Sequence, residues 1–222
     1  MTLNNYVDKI FVINLPHRKD RLERFEQLSK IYNFEYEVFE AFNGKEKIDS
    51  NFEYEGVKVS DYRYYYRYDY FRSQIGCLIS HLNLIKHCRQ MNLSKVMIFE
   101  DDCGFHENFD LRLDNLMSKV NPDWQLLYLS GSVPEFISDH DGYSKISKIL
   151  TTHSYMIKSE IFDLVINNFK SKIFIKEVDM CYSDIHTQCN SYVAMPFLTF
   201  QEDGYSDIAS EYRSYPSIKK HL

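Results

Sequence analysis

The sequence predicts an α/β protein: helices packed on both faces of a mostly parallel sheet, an α/β/α sandwich. Three observations carry that reading. Short β-branched runs such as KIFVINL at 9–15 and KVMIF at 95–99 have the length and composition of buried strands. Residues 74–91 place Ile75, Leu78, Ile79, Leu82 and Ile85 on one apolar stripe, the spacing of an amphipathic helix. Strands and helices then alternate at intervals that suit crossover units. With 222 residues and only 7 Gly and 5 Pro, the chain is long enough for one large core and poor in linkers, so residues 1–222 are expected to form a single domain.

The elements follow in order. The strand at 9–15 stops at Pro16, and residues 20–31 carry Leu22, Phe25 and Leu28 near helical spacing. Residues 34–39 alternate with Glu35 and Glu37 as a second strand, and Asn43-Gly44 marks a turn. Residues 45–70 read as polar and irregular, ending in the aromatic–basic run DYRYYYRYDYFR. The helix at 74–91 takes Ser73 as its N-cap. After the strand at 95–99 come a short helix at 109–120, a strand at 124–129 entered through Asp123, and a loop from Ser130-Gly131 to about residue 144. Residues 146–157 read as extended, 159–169 as helical, 180–188 as a short helix opened by Asp179, and 192–200 as a last strand before a polar tail.

Composition excludes several classes. A formal net charge of -6 argues against a general nucleic-acid binder, which needs a basic surface. No apolar run reaches membrane-spanning length and the N-terminus lacks a signal-like apolar region, so a cytoplasmic protein, peripheral to a membrane if its partner is lipid-linked, is expected. The five cysteines show no CxxC spacing and are expected to be reduced. Cys77 and His81 lie four apart, a spacing that suits zinc, yet the sequence offers no third ligand beside them.

The most informative stretch is KVMIFEDDCGF, residues 95–105, where a buried strand ends in Glu100, Asp101 and Asp102. Ligands of open α/β sheets bind at the carboxyl ends of strands. Three adjacent carboxylates repel one another unless something compensates, and a divalent cation bridging to phosphate does so directly. Solvated acids at a strand end give the same pattern. A phosphatase of the haloacid-dehalogenase type also places Asp after a strand, but wants Asp-x-Asp-x-Thr/Val where this chain has Glu-Asp-Asp-Cys-Gly.

Further segments fall in a fixed order around the cluster: Asn14-Leu15-Pro16-His17-Arg18-Lys19-Asp20-Arg21, then Gly76-Cys77-Leu78-Ile79-Ser80-His81, then Phe99-Glu100-Asp101-Asp102. His153-Ser154-Tyr155-Met156-Ile157-Lys158, Val178-Asp179, and Gln201 with Ser206-Asp207-Ile208 complete the set. Together they resemble glycosyltransferase family 25, which includes lipopolysaccharide β-galactosyltransferases and collagen galactosyltransferases. The sequence departs from the family pattern in Phe99, where Leu is usual, and in His17, among the usual Arg and Lys; residues 45–70 match no family pattern.

The resemblance implies a GT-A-type, Rossmann-like fold and an inverting transfer of galactose or glucose. The donor would be a UDP-sugar, used with Mn²⁺ or Mg²⁺, and the acceptor an oligosaccharide, lipid-linked or protein-linked glycan. Asp102 is then the leading metal ligand, Glu100 approaches the metal or the ribose, and Asp101 turns to solvent. Asn14 meets the base or ribose, and Arg18 and Arg21 hold phosphate. Ser80 and His81 wall the donor site, and Asp179 serves as general base or as an N-cap. Gln201 and Ser206 belong to a tail closing over the diphosphate, with Asp203 as a further metal ligand. The tyrosines of residues 62–72 offer flat faces to a sugar acceptor, or pack on the core. The rival reading is a binding or scaffold protein that keeps the fold without turnover, and the intact Glu100-x-Asp102 favours the enzyme.

Overall fold

The computed structural model describes residues 2–61 and 68–216. Fourteen strands are found among the described residues: β1 (Lys9–Asn14), β2 (Glu37–Glu40), β3 (Glu53–Tyr54), β4 (Val57–Lys58), β5 (Lys95–Glu100), β6 (Cys103–Phe105), β7 (Leu126–Tyr128), β8 (Ser132–His140), β9 (Tyr143–Leu150), β10 (Ser154–Lys158), β11 (Ser191–Ala194), β12 (Thr199–Gln201), β13 (Gly204–Ser206) and β14 (Glu211–Arg213). The α-helices are α1 (Lys19–Ile31), α2 (Gly44–Lys47), α3 (Asp69–Gln90), α4 (Phe109–Lys119), α5 (Phe162–Lys172) and α6 (Val178–Ser183).

Eight strands form the central sheet in the order β2-β1-β5-β10-β7-β11-β9-β8. Followed across the pairings, six of them share one sense, and β9 and β10 run against it. The buried runs read as strands do so for a simple reason: successive side chains leave opposite faces of the sheet, and both faces are covered. Ile10, Val12, Met97, Phe99, Leu127 and Met156 pack on the face shared with Phe25 of α1 and with Leu113 and Leu116 of α4. Their neighbours Phe11, Ile13, Val96, Ile98, Leu126, Tyr128, Tyr155 and Ile157 point the other way, toward Leu78, Leu82 and Ile85 of α3 and Val165 and Phe169 of α5. This is the expected sandwich.

Several boundaries differ from the sequence reading. Helix α3 begins at Asp69, so Ser73 is not its cap; the Ser73 hydroxyl donates back to the Asp69 carbonyl inside the helix. The expected loop after Ser130 is the long hairpin β8–β9, turning at Gly142 with φ +88°. β8 lies at the sheet edge with mostly exposed side chains, so its pairing left no apolar pattern to read. The stretch at 146–157 breaks at Thr151, where φ is +71°, into β9 and β10. The expected strand at 192–200 divides into β11 and β12. The segment read as irregular contains α2 and the hairpin β3–β4, and the polar tail contains β13–β14. All five cysteines are free. Among the described residues no helix is long and apolar enough to cross a membrane.

One close approach shapes the region near the carboxyl ends of β1 and β5. A Cβ on Gly76 of α3 would lie 2.6 Å from the Phe42 carbonyl oxygen and 2.7 Å from the Gly44 amide nitrogen. Backbone meets backbone here, so neither side can yield by a rotamer change. Gly76→Ala is expected to lower stability by about 2–3 kcal/mol, read as a fall in the urea midpoint. An unchanged midpoint would show that the 42–44 backbone is free to move.

Candidate active site

The sheet delivers the acidic cluster to one end of the molecule. β5 is buried until Glu100, and the chain then turns through Asp101 and Asp102 into β6. β10 runs antiparallel to β5 with Ser154 opposite Phe99, which sets residues 151–153 beside Glu100; the Glu100 amide donates to the His153 carbonyl at 3.0 Å. β12 pairs with β6 and brings Gln201 opposite Cys103. Two adjoining cavities open here. The first, about 390 Å³, is walled by Arg21, Ser80, His81, the three acids, Gln201 and Ser206. The second, about 370 Å³, holds Asp179, Thr151, Thr152 and Tyr70. Cys77, Glu100, Gln201, Ser206, Ile208 and Tyr215 line both and form the partition.

Arg21 is the cation of the cluster. Its Nη1 donates to Asp101 Oδ1 at 2.8 Å and to Asp102 Oδ2 at 3.1 Å, and its Nη2 donates to the Tyr205 carbonyl at 2.7 Å. Asp101 is therefore not turned to solvent. It is 7% exposed, and its Oδ2 accepts from Asn14 Nδ2 at 2.8 Å. Asn14 is accounted for by this bond and by its donation to the Arg18 carbonyl, so it braces the acids rather than lining either cavity.

Asp102 is 8% exposed, and Gln201 Nε2 donates to its Oδ2 at 3.1 Å. Its Oδ1 is buried and has no hydrogen-bond partner. Burial, with Glu100 adding repulsion, raises the Asp102 carboxyl to about 7, against the pull of Arg21. Burial likewise raises Asp101, opposed by Arg21 and Asn14.

Glu100 differs. Burial opposes its ionisation, but hydrogen bonds from His81 and Thr152 outweigh it and hold the carboxyl below its ordinary value. Thr152 Oγ1 donates to Glu100 Oε1 at 2.6 Å. The Tyr182 hydroxyl donates to Tyr155 at 2.8 Å, and Tyr155 lies 2.8 Å from His81 Nδ1. With Tyr155 accepting from Tyr182, its own proton goes to Nδ1. A neutral His81 then carries its proton on Nε2, 3.3 Å from Glu100 Oε1. Ser80 is held in the α3 wall, donating to the Gly76 carbonyl and accepting from the Phe42 amide.

The C-terminal segment folds across this cluster. Arg18 does not line either cavity; its guanidinium is engaged by Asp20, by the Tyr205 carbonyl and by a short contact to Asp207. This staples β13 beside α1. Asp203 also lies off both walls, with Oδ1 accepting from the Tyr215 amide at 3.0 Å, which places it as an anchor for the tail. Ser206 Oγ accepts from the Ala209 amide at 3.2 Å and shapes the turn after β13.

Asp179 stands in the first turn of α6, whose N-cap is Glu177, so it is not the cap. Its Oδ1 accepts from the Met180 amide at 2.7 Å and its Oδ2 from the Thr151 amide at 3.4 Å. Burial raises its carboxyl despite both bonds. Of the aromatic–basic run, residues 62–67 lie outside the described residues; Tyr70 reaches the second cavity. Sequence reasoning missed Thr152 and Tyr155 as partners of Glu100 and His81. A polar Thr-Thr-His run directly before a buried strand was the available signal.

The cluster sets a pH signature. In chelator, folded Asp102 holds its proton up to about pH 7, whereas the ordinary value is 3.8. Between these values the folded state binds more protons than the unfolded one, so the Asp102 contribution to stability falls as pH rises and levels off above about 7. The melting temperature of wild type minus that of Asp102→Asn is therefore expected to drop by several °C between pH 4 and 8, each kcal/mol shifting it by about 2–4 °C. Thermal scans across that range check it; a flat difference contradicts it.

The profile of glycosyltransferase family 25 (LPS biosynthesis protein) matches residues 7–177. Procollagen galactosyltransferase 1-A of Xenopus laevis is 34% identical over 127 residues, covering 55% of this chain and 21% of that protein. Procollagen galactosyltransferase 2 of Homo sapiens is 32% identical over 127 residues, covering 55% and 20%. Inactive glycosyltransferase 25 family member 3 of Mus musculus is 32% identical over 129 residues, covering 55% and 22%. The matched region thus spans about a fifth of these relatives' length. A crystal structure of a glycosyltransferase involved in the glycosylation of the major capsid of PBCV-1 aligns with 91% of this chain and 95% of its own, with a TM-score of 0.48 and 9% identity. With its profile matched over most of its length, the chain belongs to glycosyltransferase family 25.

Proposed function

We propose that this protein is a metal-dependent, inverting hexosyltransferase that moves galactose or glucose from a UDP-sugar to a glycan or glycoconjugate acceptor. The observation that carries the reading is Asp102: a buried carboxylate with one oxygen unpartnered, in the wall of a cavity large enough for a ligand. Names of relatives that act as procollagen galactosyltransferases favour galactose over glucose.

The residues fit a divalent cation. Asp101 and Asp102 share one guanidinium while Glu100 beside them adds repulsion, and Asp102 compensates for the excess by holding its proton. Asp102 and Glu100 would hold Mn²⁺ or Mg²⁺, which, when bound, supplies positive charge against the leaving diphosphate. The chain's own residues do the rest. Arg21 and Asn14 keep Asp101 and Asp102 in register, and Gln201 fixes the Oδ2 side of Asp102. Ser80, His81 and the 42–44 backbone wall the donor cavity, and Ser206 with Tyr205 covers it.

The acceptor enters the second cavity. Asp179 takes the proton of its hydroxyl, that oxygen forms a bond to the anomeric carbon, and the carbon–oxygen bond to UDP breaks with its electron pair leaving on the diphosphate. Attack from the face opposite the leaving group inverts the centre. Burial brings the Asp179 carboxyl toward neutrality, which suits a base. Activity is accordingly expected to rise with pH along a limb shifted upward from the ordinary Asp value, read from a pH–kcat profile.

Relatives named as inactive make turnover the quantity to measure. UDP release from a panel of UDP-hexoses, offered with glycoside acceptors and Mn²⁺, is expected for wild type. Asp179→Asn is expected to lower kcat by about 10²-fold or more while leaving UDP affinity unchanged. UDP binding without release from any hexose donor would favour a binding protein that does not turn over. Unchanged kcat in Asp179→Asn would remove Asp179 as the base.

A further inference from the structure

The partition between the two cavities carries a second metal-ligand set, of different chemistry from the carboxylate pair. Cys77 and His81 lie one turn apart on α3, and the carboxyl of Glu100 approaches them from β5. The Cys77 Sγ, a His81 ring nitrogen and a Glu100 oxygen all lie within 4.8 Å of one another. Tetrahedral zinc, with bonds of about 2.0–2.3 Å, places its ligand atoms roughly 3.3–3.8 Å apart. His81 Nε2 and Glu100 Oε1 already stand at 3.3 Å, so a side-chain adjustment of about 1 Å would close the trio.

We propose that Cys77, His81 and Glu100 form a site for a thiophilic divalent cation, Zn²⁺ or Co²⁺, at the junction of the two cavities. The surroundings meet the requirements of such a site. A catalytic or regulatory zinc has three protein ligands and an open fourth position, and here Cys77 and Glu100 both face the cavities. A ligating histidine needs its second nitrogen anchored. His81 Nδ1 lies 2.8 Å from the Tyr155 hydroxyl, itself bonded to Tyr182. When the cation takes Nε2, the imidazole proton moves to Nδ1 and is donated to the Tyr155 oxygen, which keeps accepting from Tyr182 through its other lone pair. Both tyrosines are buried. The Cys77 thiol gives its proton to solvent. Thr152 keeps Glu100 oriented through its other contact at 2.6 Å.

Glu100 belongs to both sets, so the two cations compete. Hard Mn²⁺ or Mg²⁺ prefers the oxygen pair with Asp102, whereas zinc prefers sulfur and imidazole. Zinc at the junction would withdraw Glu100 from Asp102 and obstruct the passage between donor and acceptor. This makes the partition an inhibitory site for soft metals, independent of which sugar is transferred.

The test is a Co²⁺ titration of the full chain under reducing conditions, followed by the near-ultraviolet sulfur-to-cobalt charge-transfer band. Wild type is expected to give the band at one equivalent and to lose it on adding Zn²⁺. Cys77→Ser should abolish it, His81→Gln should weaken Co²⁺ binding at least about tenfold, and Cys88→Ser, altered at a buried thiol away from the cavities, should retain it. Absence of the band in wild type, or its survival in Cys77→Ser, overturns the site, as does unchanged affinity in His81→Gln. UDP–Mn²⁺ binding, measured on the same samples, tells failure here apart from failure of the donor-site reading.

Discussion

The Arg21 guanidinium holds the functional end of this molecule together. From the first turns of α1 it reaches Asp101 and Asp102 beyond the end of β5, and the Tyr205 carbonyl in β13. Three segments distant in sequence meet on one side chain. Buried carboxylates left without their cation cost about 3–5 kcal/mol, so the cluster depends on this one residue. Asn14 and Gln201 complete the brace with neutral amide donors, which hold the acids without cancelling their charge. The result is a cluster that stays electronegative: its spare capacity is one buried oxygen of Asp102 and a proton held to about pH 7.

The fold explains why that charge faces a cavity. β1 and β5 run in the same sense, so Asn14 and Glu100 finish at the same end of the sheet. The antiparallel β10 then starts where β5 stops, and lays Thr151 and Thr152 across the cluster. α6 places Asp179 on the far side of Thr151. The partition of Cys77, Glu100, Gln201 and Tyr215 is thus assembled from α3, β5, β12 and the tail. Glu100 lines the cavities on both sides of it.

Much of this was legible in the sequence, and for physical reasons. The β1 and β5 runs are apolar because both faces of their sheet are covered, and the α3 stripe is apolar because it covers one of those faces. The acidic triplet stood out because three adjacent carboxylates at a strand end are costly. What escaped was decided by pairing or by distant neighbours. β8 is exposed and β13–β14 is polar, so only their hydrogen-bonded partners define them as strands. Arg18 and Arg21 look alike in sequence, yet Arg18 is turned to Asp207 and Arg21 to the acids. Asp101 reads as solvated in sequence because nothing nearby in the chain shows Arg21 and Asn14 closing on it. His81 gained its meaning from Tyr155, 74 residues away.

The central claim is that the Glu100–Asp102 end of β5 holds a cation that recruits a nucleotide diphosphate. Calorimetric titration of UDP into the protein with Mn²⁺, with chelator, and into Asp102→Asn with Mn²⁺ tests it most directly. The account predicts binding with Mn²⁺ that is lost in chelator and lost in the variant. UDP binding equally tight in all three, or absent throughout, would contradict it.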